Sequence, residues 1–287
     1  MSDHSPELPV RVIRPHDGIE AFKDAISSCL RDFPQARGLA WRMFLRDVRA
    51  TYRQSIFGYT WMILPPLATT LIWVFLNQQQ LVAIDSGDVP FPVFVLTGNI
   101  LWAAFNGAVM GMLSIFSTSR GMLSKVNFPH EALVMTALGK SALDGLVPAL
   151  LLVPALLYYG ISFSPSMLLF PLGLLLVLFV GGALGLVFVP IAALYLDIGR
   201  AVQMGLRLGF FLTPVVYPLP LSGWVHSLLI CNPVTSLLVT SRSWLVGSGP
   251  TLLPQMSIVI CLSIVLFAVA LLAYKIAMPH IIERTSG

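Results

Sequence analysis

Residues 145–196 read GLVPALLLVPALLYYGISFSPSMLLFPLGLLLVLFVGGALGLVFVPIAALYL, and no Asp, Glu, Lys or Arg interrupts them. A membrane-crossing helix needs about 20 predominantly apolar residues. The run from Ala132 to Tyr195 therefore holds two spans, divided at Gly160-Ile161-Ser162-Phe163-Ser164-Pro165, where turn-forming residues break the apolar pattern. Tracts 54–84, 89–119, 208–241 and 243–274 are equally free of charge. They place further spans near 56–77, 91–116, 201–217 and 252–277.

The composition agrees. Of 287 residues, 56% are hydrophobic and 10% charged, against about 25% charged in ordinary soluble domains. So few charges cannot cover a soluble surface, and so much apolar area excludes disorder. The expectation is an all-α membrane protein with six transmembrane helices per protomer.

Segment 218–250 departs from the spans. Pro218-Leu219-Pro220 precedes an apolar run from Trp224 to Ile230; Asn232-Pro233 separates it from a second run, Val234 to Val246, and Gly247-Ser248-Gly249-Pro250 closes the segment. Each run is too short to cross. Two short re-entrant helices before the last span fit best, because broken backbone at membrane depth must be covered by protein or line a cavity.

Orientation follows from Lys and Arg. With the N-terminus inside, the outer loops 78–90, 160–166 and 218–251 hold one basic residue, Arg242, and the other 16 of 17 lie on the cytoplasmic side. The net charge of +4 thus reports cytoplasmic loops and not nucleic acid. Residues 1–35 are polar without an apolar core, so no signal peptide is expected there.

Nine Lys/Arg and seven Asp/Glu crowd into residues 1–53. From Arg37 to Arg53 they form a pattern: Arg42, Arg46, Arg49 and Arg53 share one helical stripe, and Trp41, Phe44, Leu45 and Val48 another. This is an amphipathic interfacial helix. The arginines either anchor the first span or meet an anionic lipid-linked substrate. Upstream, Ile19, Phe22, Ile26, Leu30 and Phe33 have the spacing of a second short amphipathic helix.

The loop between spans two and three, 119–131, keeps Met122, Leu123, Val126 and Phe128 among polar neighbours. It is either a solvated loop or a docking surface. Lys140 and Asp144 lie four apart inside span three, as an internal ion pair or part of a relay.

Chemistry is sparse. Gly139-Lys140-Ser141 lacks the earlier glycine of a phosphate loop, since Val134 stands there. Cys29, Cys231 and Cys261 form no CxxC, and the histidines are scattered; neither metal, disulfide nor catalytic residue is expected. An intramembrane glycosyl or acyl transferase would need convergent ionisable groups, and a secondary transporter would want more of them plus a repeat. Trp61, Trp73, Trp102, Phe105, Phe210, Phe211 and Tyr217 fall in spans one, two and five. They are lipid-facing anchors, packing residues or, for a sugar, stacking surfaces lining a channel.

Several motifs occur together. They are Arg49-Ala50-Thr51-Tyr52-Arg53-Gln54-Ser55-Ile56-Phe57-Gly58-Tyr59-Thr60-Trp61, Phe91 to Gly98, Lys125-Val126-Asn127-Phe128-Pro129-His130-Glu131, Asp197-Ile198-Gly199-Arg200, Phe211 to Pro218, and Asn232-Pro233. In this order they resemble the permeases of ABC-2 type polysaccharide exporters. Leu196 departs from the pattern, where an arginine often precedes the aspartate.

The resemblance implies a division into a cytoplasmic extension (1–36), an interfacial gate helix (37–55), an ABC-2 transmembrane domain (56–277) and a cytoplasmic tail (278–287). It implies a non-enzymatic transport subunit of the bacterial inner (cytoplasmic) membrane, multi-pass, with both termini cytoplasmic. The subunit would pair with a second copy of itself and with two copies of an ATP-binding subunit, which would hold the ATP and Mg. Arg120, Met122, Lys125, Val126, Phe128, Pro129, His130 and Glu131 would couple to that ATPase. Arg42, Arg46, Arg49 and Arg53 would face the headgroup of a lipid-linked glycan of O-antigen type. Teichoic acid, capsule or a hydrophobic drug are the alternative substrates.

Overall fold

The computed structural model describes residues 18–53, 55–115, 117–118, 131–248 and 252–286, which are helical with no strand among them. The elements are α1 (Gly18–Arg53), α2 (Thr60–Gln78), α3 (Phe91–Leu113), α4 (Glu131–Ala149), α5 (Leu152–Tyr158), a 3-10 turn (Pro165–Leu169), α6 (Phe170–Leu194), α7 (Leu196–Phe211), α8 (Trp224–Cys231), α9 (Pro233–Val246) and α10 (Leu253–Ser286). Among the described residues, Thr60–Gln78, Phe91–Leu113, Glu131–Tyr158, Pro165–Leu194 and Leu253–Met278 are long and apolar enough to cross a membrane. The pair α8–α9, bent by 92°, reaches that length only if taken as one.

Helices α3 and α6 form the centre. Lipid is as apolar as leucine, so helices in a membrane associate through close packing and small residues. Gly181 and Gly185 on α6 supply the approach: a Cβ at Gly181 would lie 2.8 Å from the Phe105 carbonyl oxygen, and one at Gly185 2.6 Å from that of Val109. Around this contact Val93, Val95, Leu101, Leu174, Val177 and Leu186 are fully buried. Helix α2 is the opposite case, burying only Pro66 and Thr70. Thr70 Oγ1 accepts from Asn99 Nδ2 at 3.0 Å, tying α2 to α3.

The helix expected to span over 201–217 is not among those long and apolar enough to cross. Helix α7 starts at Leu196 and stops at Phe211 after 16 residues, a length of about 24 Å against the roughly 30 Å of a bilayer core. Asp197, Arg200 and Arg207 put three charges along it, and Pro214 cannot donate to the helical ladder. The chain therefore continues unwound.

Helix α1 runs unbroken through Pro34. The side chains of Ile19, Phe22, Ile26, Leu30 and Phe33 lie outside the described residues. The packing face of α1 is Ala36, Ala40 and Met43, against α4 at Ala132, Leu133 and Val134. Trp41, from the larger apolar stripe, is instead exposed, and Phe44, Leu45 and Val48 are half-buried.

Candidate functional site

The unwound segment Leu212–Pro218 is the most distinctive feature of the membrane region. Thr213, Pro214, Val215 and Val216 are buried, so their backbone groups need partners. Five consecutive carbonyls have them. Phe211 O accepts from Tyr217 Oη at 2.7 Å, and Leu212 O from Asn232 Nδ2 at 3.1 Å. Thr213 O accepts from Val215 N at 2.7 Å. Pro214 O and Val215 O accept from Arg242 Nη1 and Nη2 at 3.2 and 2.7 Å.

Asn232 serves two elements at once. Its Nδ2 also donates to Thr213 Oγ1 at 2.8 Å, while its Oδ1 accepts from Val234 N at 3.0 Å and caps α9, with Pro233 at the first helical position. From there α9 runs from the middle of α3 to the turn at Ser164, which Gly247 meets in left-handed conformation. Arg242, read from sequence as the lone basic residue of an outer loop, is a buried residue of α9. No local pattern revealed this, because its partners lie 27 and 28 residues away.

Beside the break, Trp102 packs on Phe105 at 5.5 Å and edge-on to Phe210 at 6.1 Å between ring centroids. Trp102 and Phe105 are buried and line an apolar groove of about 710 Å³ that also takes in Gly209, Asn232 and Pro233. Trp73 and Tyr217 are half-buried against the same core. Trp61 and Phe211 are exposed, as are Leu71, Ile72 and Phe75 on α2 and Met204 and Leu208 on α7. The aromatic candidates thus fall into an inward cluster and an uncovered surface.

At the α1 end, Arg42, Arg46, Arg49 and Arg53 are all exposed, and Arg46 pairs with Asp47 at 2.8 Å. A cavity of about 500 Å³ gathers Arg46, Asp47, Ser141, Lys140 and Asp144 between α1, α3 and α4. Lys140 and Asp144 both line this polar cavity.

Arg120, Met122, Lys125, Val126, Phe128, Pro129 and His130 lie outside the described residues. Glu131 is described and points inward, paired with Lys275 of α10 across 144 residues of sequence. Among the described residues no three His, Cys, Asp or Glu side chains gather as a metal-holding group.

A family model described as ABC-2 type transporter matches residues 37–246. The chain belongs to this family. The match begins at the basic stripe of α1 and closes with α9, so it includes the unwound segment and its partners Asn232 and Arg242. Among curated proteins, an O-antigen export system permease protein RfbA from Myxococcus xanthus is 30% identical over 222 residues, 75% of this chain and 82% of the relative. A Klebsiella pneumoniae RfbA is 24% identical over 203 residues, 69% and 76% of the two chains. The Escherichia coli polysialic acid transport protein KpsM is 24% identical over 210 residues, 70% and 78%. This ABC-2 chain is a multi-pass membrane protein.

Proposed function

We infer that the chain is the membrane-spanning subunit of an ABC-2 polysaccharide exporter. The observation that carries this is the match over residues 37–246, joined to relatives named for O-antigen export and polysialic acid transport. The substrate is a glycan on a lipid carrier, of O-antigen type. Its anionic headgroup meets Arg42, Arg46, Arg49 and Arg53, whose exposure on α1 supports that role. Capsular polysaccharide is the second reading, favoured by the likeness to KpsM.

The channel is completed by a second copy. The support is the uncovered apolar and aromatic faces of α2 and α7, where Trp61 and Phe211 are available to stack on sugar rings. Two separate ATP-binding subunits hold ATP and Mg and press on the stretch 119–131. The complex sits in the bacterial inner membrane with both termini cytoplasmic, a placement supported by the one-sided Lys and Arg.

Depletion of the chain tests the reading. Surface polysaccharide should fall while lipid-linked glycan accumulates inside, and an ATP-binding protein should co-purify with the tagged chain. Unaltered surface polysaccharide would reject the function; accumulation without a co-purifying ATPase would reject only the partner.

A further inference from the structure

We propose that Arg242 is a positioning residue that pins the unwound segment after α7 to α9 and holds it against local opening. The proposal rests on geometry for its substance.

Arg242 lies inside α9 with 6% of its surface exposed. A cation buried at this depth is costly and is retained where it does something. Among the described residues no carboxylate lies within ion-pair distance of it. Its compensation is two adjacent carbonyl oxygens, of Pro214 and Val215, and the face of Phe94, whose centroid is 3.7 Å from Cζ. A planar fork of donors matches two oxygens side by side, whereas an ammonium would meet them only as a point charge. The ring face adds negative potential beside the guanidinium, whose buried Nε has no hydrogen-bond partner among the described residues.

Helix α3 is cut to fit this contact. A Cβ at Gly98 would stand 2.1 Å from Val215 O and 2.4 Å from Arg242 Nη2. Any side chain there forces the fork and the carbonyl apart. Two distant residues, Gly98 and Arg242, are thus committed to one short stretch of backbone that forms no helix.

The elements on either side are unequal. Helix α9 is buried along most of its length against α3, α6 and α10, so it is a fixed post. Helix α7 leaves Met204, Leu208 and Phe211 exposed.

The test uses the full chain in its native membrane, with Cys29→Ser, Cys231→Ser and Cys261→Ser as background and Val215→Cys as reporter. Val215 is fully buried, so a membrane-impermeant maleimide should label it slowly while Arg242 is present. Arg242→Gln should raise the labelling rate at least about tenfold, as local opening exposes a buried site. Arg242→Lys should not rescue it, and Gly98→Ala should reproduce part of the effect with the arginine intact. Should Arg242→Gln fail to accumulate, the other two variants carry the test.

Slow labelling in all three variants at normal protein level would overturn the proposal and leave Arg242 with a folding role. The labelling does not depend on substrate. A loss of the polysaccharide reading with fast labelling would therefore separate the two claims.

Discussion

Replacing Lys275 with Met isolates Glu131 at the foot of α4 and gives the sharpest test of how the two ends of the chain are joined. The pair is shielded, with side-chain exposures of 6% for Glu131 and 16% for Lys275. Removing one partner of a buried ion pair costs about 3–5 kcal/mol, mostly from the charge left behind. The residual exposure of Lys275 admits some water, which places the loss near the lower end, about 3 kcal/mol. For a chain of this size each kcal/mol moves the midpoint by about 2–4 °C, so a fall of about 6–12 °C is expected. Glu131→Gln combined with Lys275→Met removes both charges and should recover all but about 1 kcal/mol. The assay is thermal unfolding of the purified protein in nanodiscs, wild type against both singles and the double. A drop under about 2 °C for Lys275→Met, or a double variant as poor as the sum of the singles, would refute the buried pair. Because Glu131 closes the proposed coupling stretch, Lys275→Met should also lower export more than it lowers ATP hydrolysis by the complex.

Three further outcomes are expected. Lys125→Glu together with Phe128→Ala should leave ATP hydrolysis running while export falls, measured in membranes containing both subunits; unchanged export would remove coupling from that loop. Trp61→Ala should leave thermal stability within about 0.5 kcal/mol, since the residue is exposed, yet reduce surface glycan; equal loss of protein and glycan would assign it to packing. Asn232→Ala removes a helix cap and the donor to Leu212 O, and should cost about 2–3 kcal/mol by thermal unfolding, with a smaller loss for Asn232→Asp, which keeps the cap.

What the sequence reveals follows from what each signal measures. Charge-free length places the spans over 91–116 and 252–277 close to Phe91–Leu113 and Leu253–Met278, because the cost of charge in lipid sets those limits directly. The same signal runs on past Phe211, since hydropathy does not register whether a backbone is wound. The unwinding depends on Tyr217, Asn232 and Arg242, and the last two come from elsewhere in the chain. The two short helices α8 and α9 are legible because Pro218, Pro220 and Asn232-Pro233 interrupt short apolar runs. The packing face of α1 is not: periodicity weights Trp41 and Phe44, whereas the contact uses Ala36 and Ala40, whose small size permits approach. Lys140 and Asp144 share a helix face as their spacing requires, but the cavity between them and Asp47 becomes visible only once α1 is laid against α4.

Two side-chain devices hold opposite ends of one frame. Glu131 and Lys275 bind α4 to α10 near the α1 end, and Arg242 binds the break after α7 to α9. Both α9 and α10 pack on α6, which packs through Gly181 and Gly185 on α3. Force applied next to Glu131 therefore meets a continuous body formed by α3, α4, α6, α9 and α10. Helices α2 and α7 keep long exposed faces against this body. Substitutions on the exposed faces of α2 and α7 should consequently change export with little effect on unfolding, whereas substitutions at Gly185 or Lys275 should change both. A small-to-large change at Gly185 separates the classes most cleanly. Its Cβ meets the Val109 backbone, which has nowhere to move, and overpacking of that kind costs about 1–3 kcal/mol or more.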